Sequence, residues 1–189
     1  MALLSVRWLR LPRDPQACFN IDTRPIDILR EATGEHGVSR ADLARSVYTI
    51  RLTGPVVIAY PTGSSPLIYV GEGNLHGRMS SHVRTWIRDL AQTQADFGWS
   101  AHICLPRVRN NAAAYQDVEA LLLQEFSARY GALPLANRQL EYVYGTHQIE
   151  DEEHFYSVLG IGRGRRPKWA IAPCRSHPLH ERFHTGVVA

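Results

Sequence analysis

Five side chains in this sequence have the types and spacing for chemistry on a charged substrate. Tyr48 and Tyr69 each sit in a run of β-branched and apolar residues, Ser46-Val47-Tyr48-Thr49-Ile50 and Leu67-Ile68-Tyr69-Val70-Gly71. Arg78 and His82 are four residues apart, so on a helix they share one face one turn apart. Glu119 falls between Tyr115, Leu122, Leu123 and Phe126, inside the apolar arc of a second helical stretch. A carboxylate buried there without a partner is costly, which implies a cation or a metal ion beside it. Glu125 lies near the edge of the same arc, and helical periodicity does not choose between the two. Taken singly, a strand tyrosine is usually a packing residue, and an arginine or histidine on a helix is usually solvated.

The elements that must position these residues are legible in outline. Residues 47–52 read as a strand, and 55–60 extend it past a bulge or turn at Gly54. The turn chemistry of Pro61-Thr62-Gly63-Ser64-Ser65-Pro66 leads back into a second strand at 67–71, so the two form an antiparallel hairpin. Asn74 can cap a helix over roughly residues 74–94, on which Leu75, Met79, Val83, Trp86, Ile87 and Leu90 recur at helical spacing. Residues 99–105 read as a third strand. A long helix follows from about 112 to 130, and Gly131 is its natural stop. The fold class is therefore α+β: a small antiparallel three-stranded sheet in a β-β-α-β-α core, flanked by helices. Residues 1–45 read as an N-terminal extension with two short helical patterns, one starting at Pro25 and one after Ser39. Residues 46–140 form the core, and 141–189 a C-terminal extension with an acidic run at 150–153 and a basic tail.

Composition narrows the classes. The chain has 189 residues, 44% hydrophobic, which suits one domain with extensions. No apolar stretch approaches the ~20 residues of a membrane span, and no secretory signal is evident, so a cytoplasmic protein with no membrane partner is expected. Cys18, Cys104 and Cys174 are odd in number and far apart, which argues for reduced thiols. The net charge of +3 is too small to imply nucleic acid unaided. Its quality is more telling: Lys168 is the sole lysine, and arginine, the better bidentate phosphate ligand, supplies the rest. Arg163, Arg165, Arg166 and Lys168 form a candidate nucleic-acid-binding arm. Cys174, His177, His180 and His184 are close in sequence, but their spacing fits none of the common zinc patterns.

The order of these pieces resembles the GIY-YIG nuclease superfamily over roughly residues 46–140. Ser46-Val47-Tyr48-Thr49-Ile50 is similar to its first motif and Tyr69-Val70-Gly71 to its second. Asn74-Leu75-His76-Gly77-Arg78, with His82 four residues on, resembles its helix motif. Glu119-Ala120-Leu121-Leu122-Leu123 resembles the run opened by its metal-binding glutamate, and Asn137, after Pro134, its late asparagine. Two departures stand out: Ser46 replaces the first glycine, and the interval from Glu119 to Asn137 is longer than usual, read as an enlarged loop around 130–134. That interval keeps Glu125 as a rival metal ligand.

The resemblance implies hydrolysis of DNA phosphodiester bonds with Mg²⁺ or Mn²⁺ held by Glu119. A cation bound by one carboxylate keeps most of its waters and can also bind phosphate. Arg78 would fork onto the scissile phosphate. Tyr48 is the favoured proton acceptor, with Tyr69 supporting or exchanging roles; a phenol of pKa near ~10 needs positive charge nearby to serve. His82 would orient the site or relay a proton, and Asn137 would brace it. Within the superfamily the restriction-endonuclease branch is the most similar, which makes double-stranded DNA the expected partner and leaves a homodimer open. The alternatives are a non-specific, repair, mobile-element or toxin nuclease, or a non-cleaving nucleic-acid-binding module.

Overall fold

A computed structural model describes residues 2–92, 98–108, 111–176 and 180–181. In chain order the strands and α-helices are β1 (Ala2–Leu4), β2 (Leu9–Leu11), α1 (Pro25–Arg30), β3 (Ser46–Leu52), β4 (Val56–Tyr60), β5 (Gly63–Ser65), β6 (Leu67–Gly73), α2 (Leu75–Arg84), α3 (Trp86–Gln92), β7 (Trp99–Cys104), α4 (Ala114–Tyr130), β8 (His147–Ile149), α5 (Glu152–Tyr156) and β9 (Trp169–Ile171). The chain is α+β, and its principal sheet is antiparallel.

That sheet has the order β2-β7-β3-β6. The three expected strands, β3, β6 and β7, are joined by a fourth from the N-terminal segment, where Leu9, Arg10 and Leu11 pair with Ile103, His102 and Ala101. Strand β3 is central and buried along its whole length, including the polar Ser46, Thr49 and Arg51. The Ser46 hydroxyl is 3.1 Å from the Leu43 carbonyl and 3.2 Å from that of Gly73, so burial leaves it partnered.

Residues 55–60 do not prolong β3. Gly54, at φ 69°, turns the chain into β4, which joins β5 and β9 in a separate sheet of order β5-β4-β9. The hairpin partner of β3 is β6, as expected, with a register shift between Ile50 and Arg51. Both extensions contribute strands: β1 pairs in parallel with β8, and β9 with β4. Arginines fasten the C-terminal segment. Buried Arg51 donates to the carbonyls of Val158 and Gly160, and Arg165 donates to those of Leu52, Gly54 and Val56.

The helix expected over 74–94 begins as read, with the Asn74 side chain accepting from the Gly77 N–H at 3.3 Å. It breaks at Thr85, whose φ −114° and ψ −113° are not helical. The Thr85 hydroxyl donates to the Ser81 carbonyl at 2.9 Å, a back-bond of the kind that bends helices. Residues 93 and 94 lie outside the described residues. The long helix α4 ends at Gly131 in the left-handed region, φ 71°, as the sequence implies.

Candidate active site

The sheet register brings the two tyrosines together. Tyr48 pairs with Gly71 and Ile50 with Tyr69, so the tyrosines are diagonal neighbours on one face, with ring centroids 5.9 Å apart. Gly71 makes this possible. A Cβ there would lie 2.5 Å from Tyr69 Cε1 and 2.7 Å from the Tyr48 hydroxyl, closer than real contacts allow. Gly71 is thus required by the phenols it sits beneath.

Helix α2 lays His82 against both rings, its centroid 4.4 Å from that of Tyr69 and 6.0 Å from that of Tyr48. His82 Nε2 is 3.0 Å from the Tyr48 hydroxyl, and the Trp86 indole N–H donates to His82 Nδ1 at 2.9 Å. An indole nitrogen only donates, so Nδ1 is an acceptor and the proton of the neutral ring belongs on Nε2. Burial, reinforced by Arg78, lowers the His82 pKa to about 4, which keeps the ring neutral at pH 7. His82 therefore donates to Tyr48. The neighbouring Tyr69 phenol adds to the rise of the Tyr48 pKa, while Tyr48 acts to lower that of Tyr69. The result is a directed chain of donors, Trp86 to His82 to Tyr48.

The two phenols differ in access. Tyr48 is fully buried, and that burial drives its pKa far up. Tyr69 is 9% exposed and lines a cleft of about 1210 Å³. Burial raises the Tyr69 pKa as well, with Arg78 and Tyr48 opposing.

Glu119 projects from α4 into the same cleft. It is 8% exposed, and among the described residues it has neither an ion-pair nor a hydrogen-bond partner. Burial pushes its pKa up to about 8, with Glu72 and then Glu141 adding to the rise and Arg78 opposing it. Glu125 is placed elsewhere, paired with Arg129 at 2.5 Å and absent from the cleft lining. Exposed Arg78 stands at the cleft mouth; burial lowers its pKa, but Tyr69, Tyr48, Glu119 and Glu72 together outweigh this and hold it charged.

Asn137 closes the arrangement from the side. Strand β6 is an edge of its sheet, so the outward N–H and C=O of Val70 have no strand partner there. The Asn137 side chain accepts from Val70 N–H at 2.9 Å and donates to Val70 C=O at 2.8 Å, while Ala136 N–H reaches Ile68 C=O at 2.9 Å. The residues at 136–137 thus pin the strand that carries Tyr69.

Tyr48, Tyr69, Arg78, His82, Glu119 and Asn137 are therefore brought to one place, five lining the cleft and Tyr48 directly behind it. The basic arm is not part of it. Arg165 is turned inward onto three carbonyls, Arg163 pairs with Glu153 at 2.5 Å, and Arg166 and Lys168 are exposed. Cys174 is exposed, His177 and His184 lie outside the described residues, and among the described residues no three His, Cys, Asp or Glu side chains are grouped to hold a metal.

Two positions escaped the sequence reading. Trp86 counts there only as part of an apolar stripe; its place four residues after His82 is the signal that a ring N–H can reach back. Asp117, 2% exposed, accepts from the backbone N–H of Tyr144 at 2.7 Å and of Gly145 at 3.2 Å, and contacts His147 Nε2 at 2.7 Å. It ties the segment after the core to α4. No family model matches the chain, and neither does any curated protein or solved structure.

Proposed function

We propose that the chain is a metal-dependent nuclease of the GIY-YIG kind that hydrolyses phosphodiester bonds in DNA. The observation that carries this reading is Glu119, a buried carboxylate without a partner that shares one cleft with Arg78 and the Tyr69 hydroxyl. A protein that only needed to fold would gain by replacing such a group with an apolar one. One orphaned carboxylate fits Mg²⁺ or Mn²⁺, which takes oxygen donors and retains several waters. Such an ion, when bound, supplies charge neutralisation at the phosphate and a lowered pKa for water.

The chain's own groups have separable roles. The Arg78 guanidinium donates to the non-bridging phosphoryl oxygens, where charge accumulates. Tyr69 is the proton acceptor in this reading rather than Tyr48. It is the phenol that lines the cleft, and Arg78 and Tyr48 both oppose the rise that burial gives its pKa. Once Tyr69 has given its own proton to solvent in the cleft, its oxygen takes a proton from the attacking water as the water oxygen bonds to phosphorus. The bond from phosphorus to the leaving sugar oxygen breaks, and that oxygen takes a proton from solvent. His82 holds Tyr48 in place by donating to it. Its other nitrogen is occupied by the Trp86 N–H, so orientation suits it better than proton relay.

The deciding experiment incubates purified protein and its Glu119→Gln variant with plasmid and phage DNA in Mg²⁺ or in EDTA. Cleavage by the unaltered protein in Mg²⁺ alone is expected, with the variant inactive. Discrete fragments identify the restriction-enzyme branch and a smear a non-specific nuclease. DNA binding without cleavage under all conditions overturns the reading in favour of a binding module.

A further inference from the structure

Residues 141–150 alternate strictly in exposure. Glu141, Val143, Gly145, His147 and Ile149 are half-buried, while Tyr142, Tyr144, Thr146 and Gln148 are exposed. That alternation puts Tyr142 and Tyr144 together on the solvent side of the segment. They are 78% and 84% exposed, and both line the cleft that holds Glu119 and Arg78. Two large rings so open to solvent contribute nothing to the core. Yet their backbone is held: Asp117 accepts from Tyr144 and Gly145 N–H, and the Gln124 side chain donates to Glu141 C=O at 3.3 Å. A Cβ at Gly145 would lie 2.7 Å from both Asp117 Oδ2 and His147 Nε2, so the segment's backbone packs directly on the Asp117 carboxylate. Asp117 is two residues from Glu119 on that helix, which sets the rings at a defined place relative to the carboxylate.

We propose that Tyr142 and Tyr144 clamp one unpaired nucleobase between their rings, on the strand whose phosphate enters the cleft. This rests on the nuclease reading above. Two residues of chain span at most roughly 6.6–6.8 Å. A planar base stacked on both sides requires two steps of about 3.4 Å, the base-stacking rise of one DNA strand. The spacing fits one base and excludes none by sequence, since every base has a π-face. Charge favours the same source of affinity. The described residues lining the cleft include Glu72, Asp89, Glu119 and Glu141 against Arg78 and Arg138, so attraction of phosphates is weak there and stacking must supply the grip. A base held this way has left its helix, so substrates with an unpaired nucleotide near the cut are preferred over continuous duplex.

Fluorescence anisotropy of the full chain in EDTA tests this. The probes are a fluorescein-labelled single-stranded 15-mer, the matched duplex and the same duplex with one unpaired nucleotide. The single strand and the interrupted duplex should bind more tightly than the continuous duplex. Tyr142→Ala and Tyr144→Ala should each weaken the first two by roughly five- to a hundredfold, while Tyr142→Phe and Tyr144→Phe keep the affinity. Alanine variants that bind as the unaltered protein does overturn the clamp, and so do phenylalanine variants that lose as much as alanine. Either result leaves the nuclease reading standing, provided Mg²⁺-dependent cleavage by the unaltered protein persists. An unaltered protein that binds none of the three probes and cuts no DNA overturns both.

Discussion

Replacing Glu119 with glutamine should change how stability depends on pH. In the metal-free protein the Glu119 carboxyl is held at a pKa of about 8, against an ordinary value of 4.5, first by burial and then by Glu72 and Glu141. A raised folded-state pKa means that its contribution to stability is fully present below about 4.5 and is lost as pH rises through about 8. At ~1.4 kcal/mol per pH unit, that interval amounts to about 5 kcal/mol. The side chain is only 8% exposed, so solvent screening removes little of it. Glutamine has nearly the same shape and does not titrate. Urea denaturation in EDTA, followed by tryptophan fluorescence at pH 5, 7 and 9, should therefore show the variant gaining on the unaltered protein by several kcal/mol between the lowest and highest pH. His82 and His102, held at about 4 and about 3, titrate in both proteins and cancel in the difference. Adding Mg²⁺ at pH 9 should restore stability to the unaltered protein and not to the variant. A stability difference that stays within 1 kcal/mol across this range would refute the placement of an unpartnered carboxylate in the cleft.

Trp86→Phe removes the donor to His82 Nδ1, which frees that nitrogen to take a proton; the His82 pKa should rise from about 4, read by NMR titration, and cleavage should fall by about fivefold, the worth of one hydrogen bond. An unmoved His82 titration would contradict the direction assigned to the donor chain. Gly71→Ala pushes a methyl group into both phenols and should cost about 1–3 kcal/mol in thermal or urea unfolding, with loss of activity; a variant of normal stability would mean the rings have room the geometry denies. Asn137→Ala strips the Val70 N–H and C=O of their partners, and the expected loss is about 2–4 kcal/mol together with faster amide exchange along β6. Unchanged exchange at Val70 would show that the edge is satisfied another way.

Much of the candidate site is local in origin and therefore legible. The 3.6-residue period of α4 sets Glu119 on its apolar side, the alternation of the strands displays Tyr48 and Tyr69, and Asn74 and Gly131 cap their helices as capping chemistry requires. The order of motifs added Asn137, whose purpose, satisfying the outer edge of β6, appears only once the sheet order is known.

The sequence by itself determined which residues share a helix face or a strand face, because those periodicities belong to the backbone. Tertiary structure alone decided what depends on partners distant in sequence. It drew Leu9–Leu11 into the principal sheet and sent Val56–Tyr60 to another. It spent Arg165 on backbone carbonyls and turned Glu119, rather than Glu125, toward the cleft. It also brought Asp117 to the backbone of Tyr144, 27 residues away, which sets two exposed rings beside that cleft. Hydrogen bonds between such distant residues have no period, and only the packed chain specifies them.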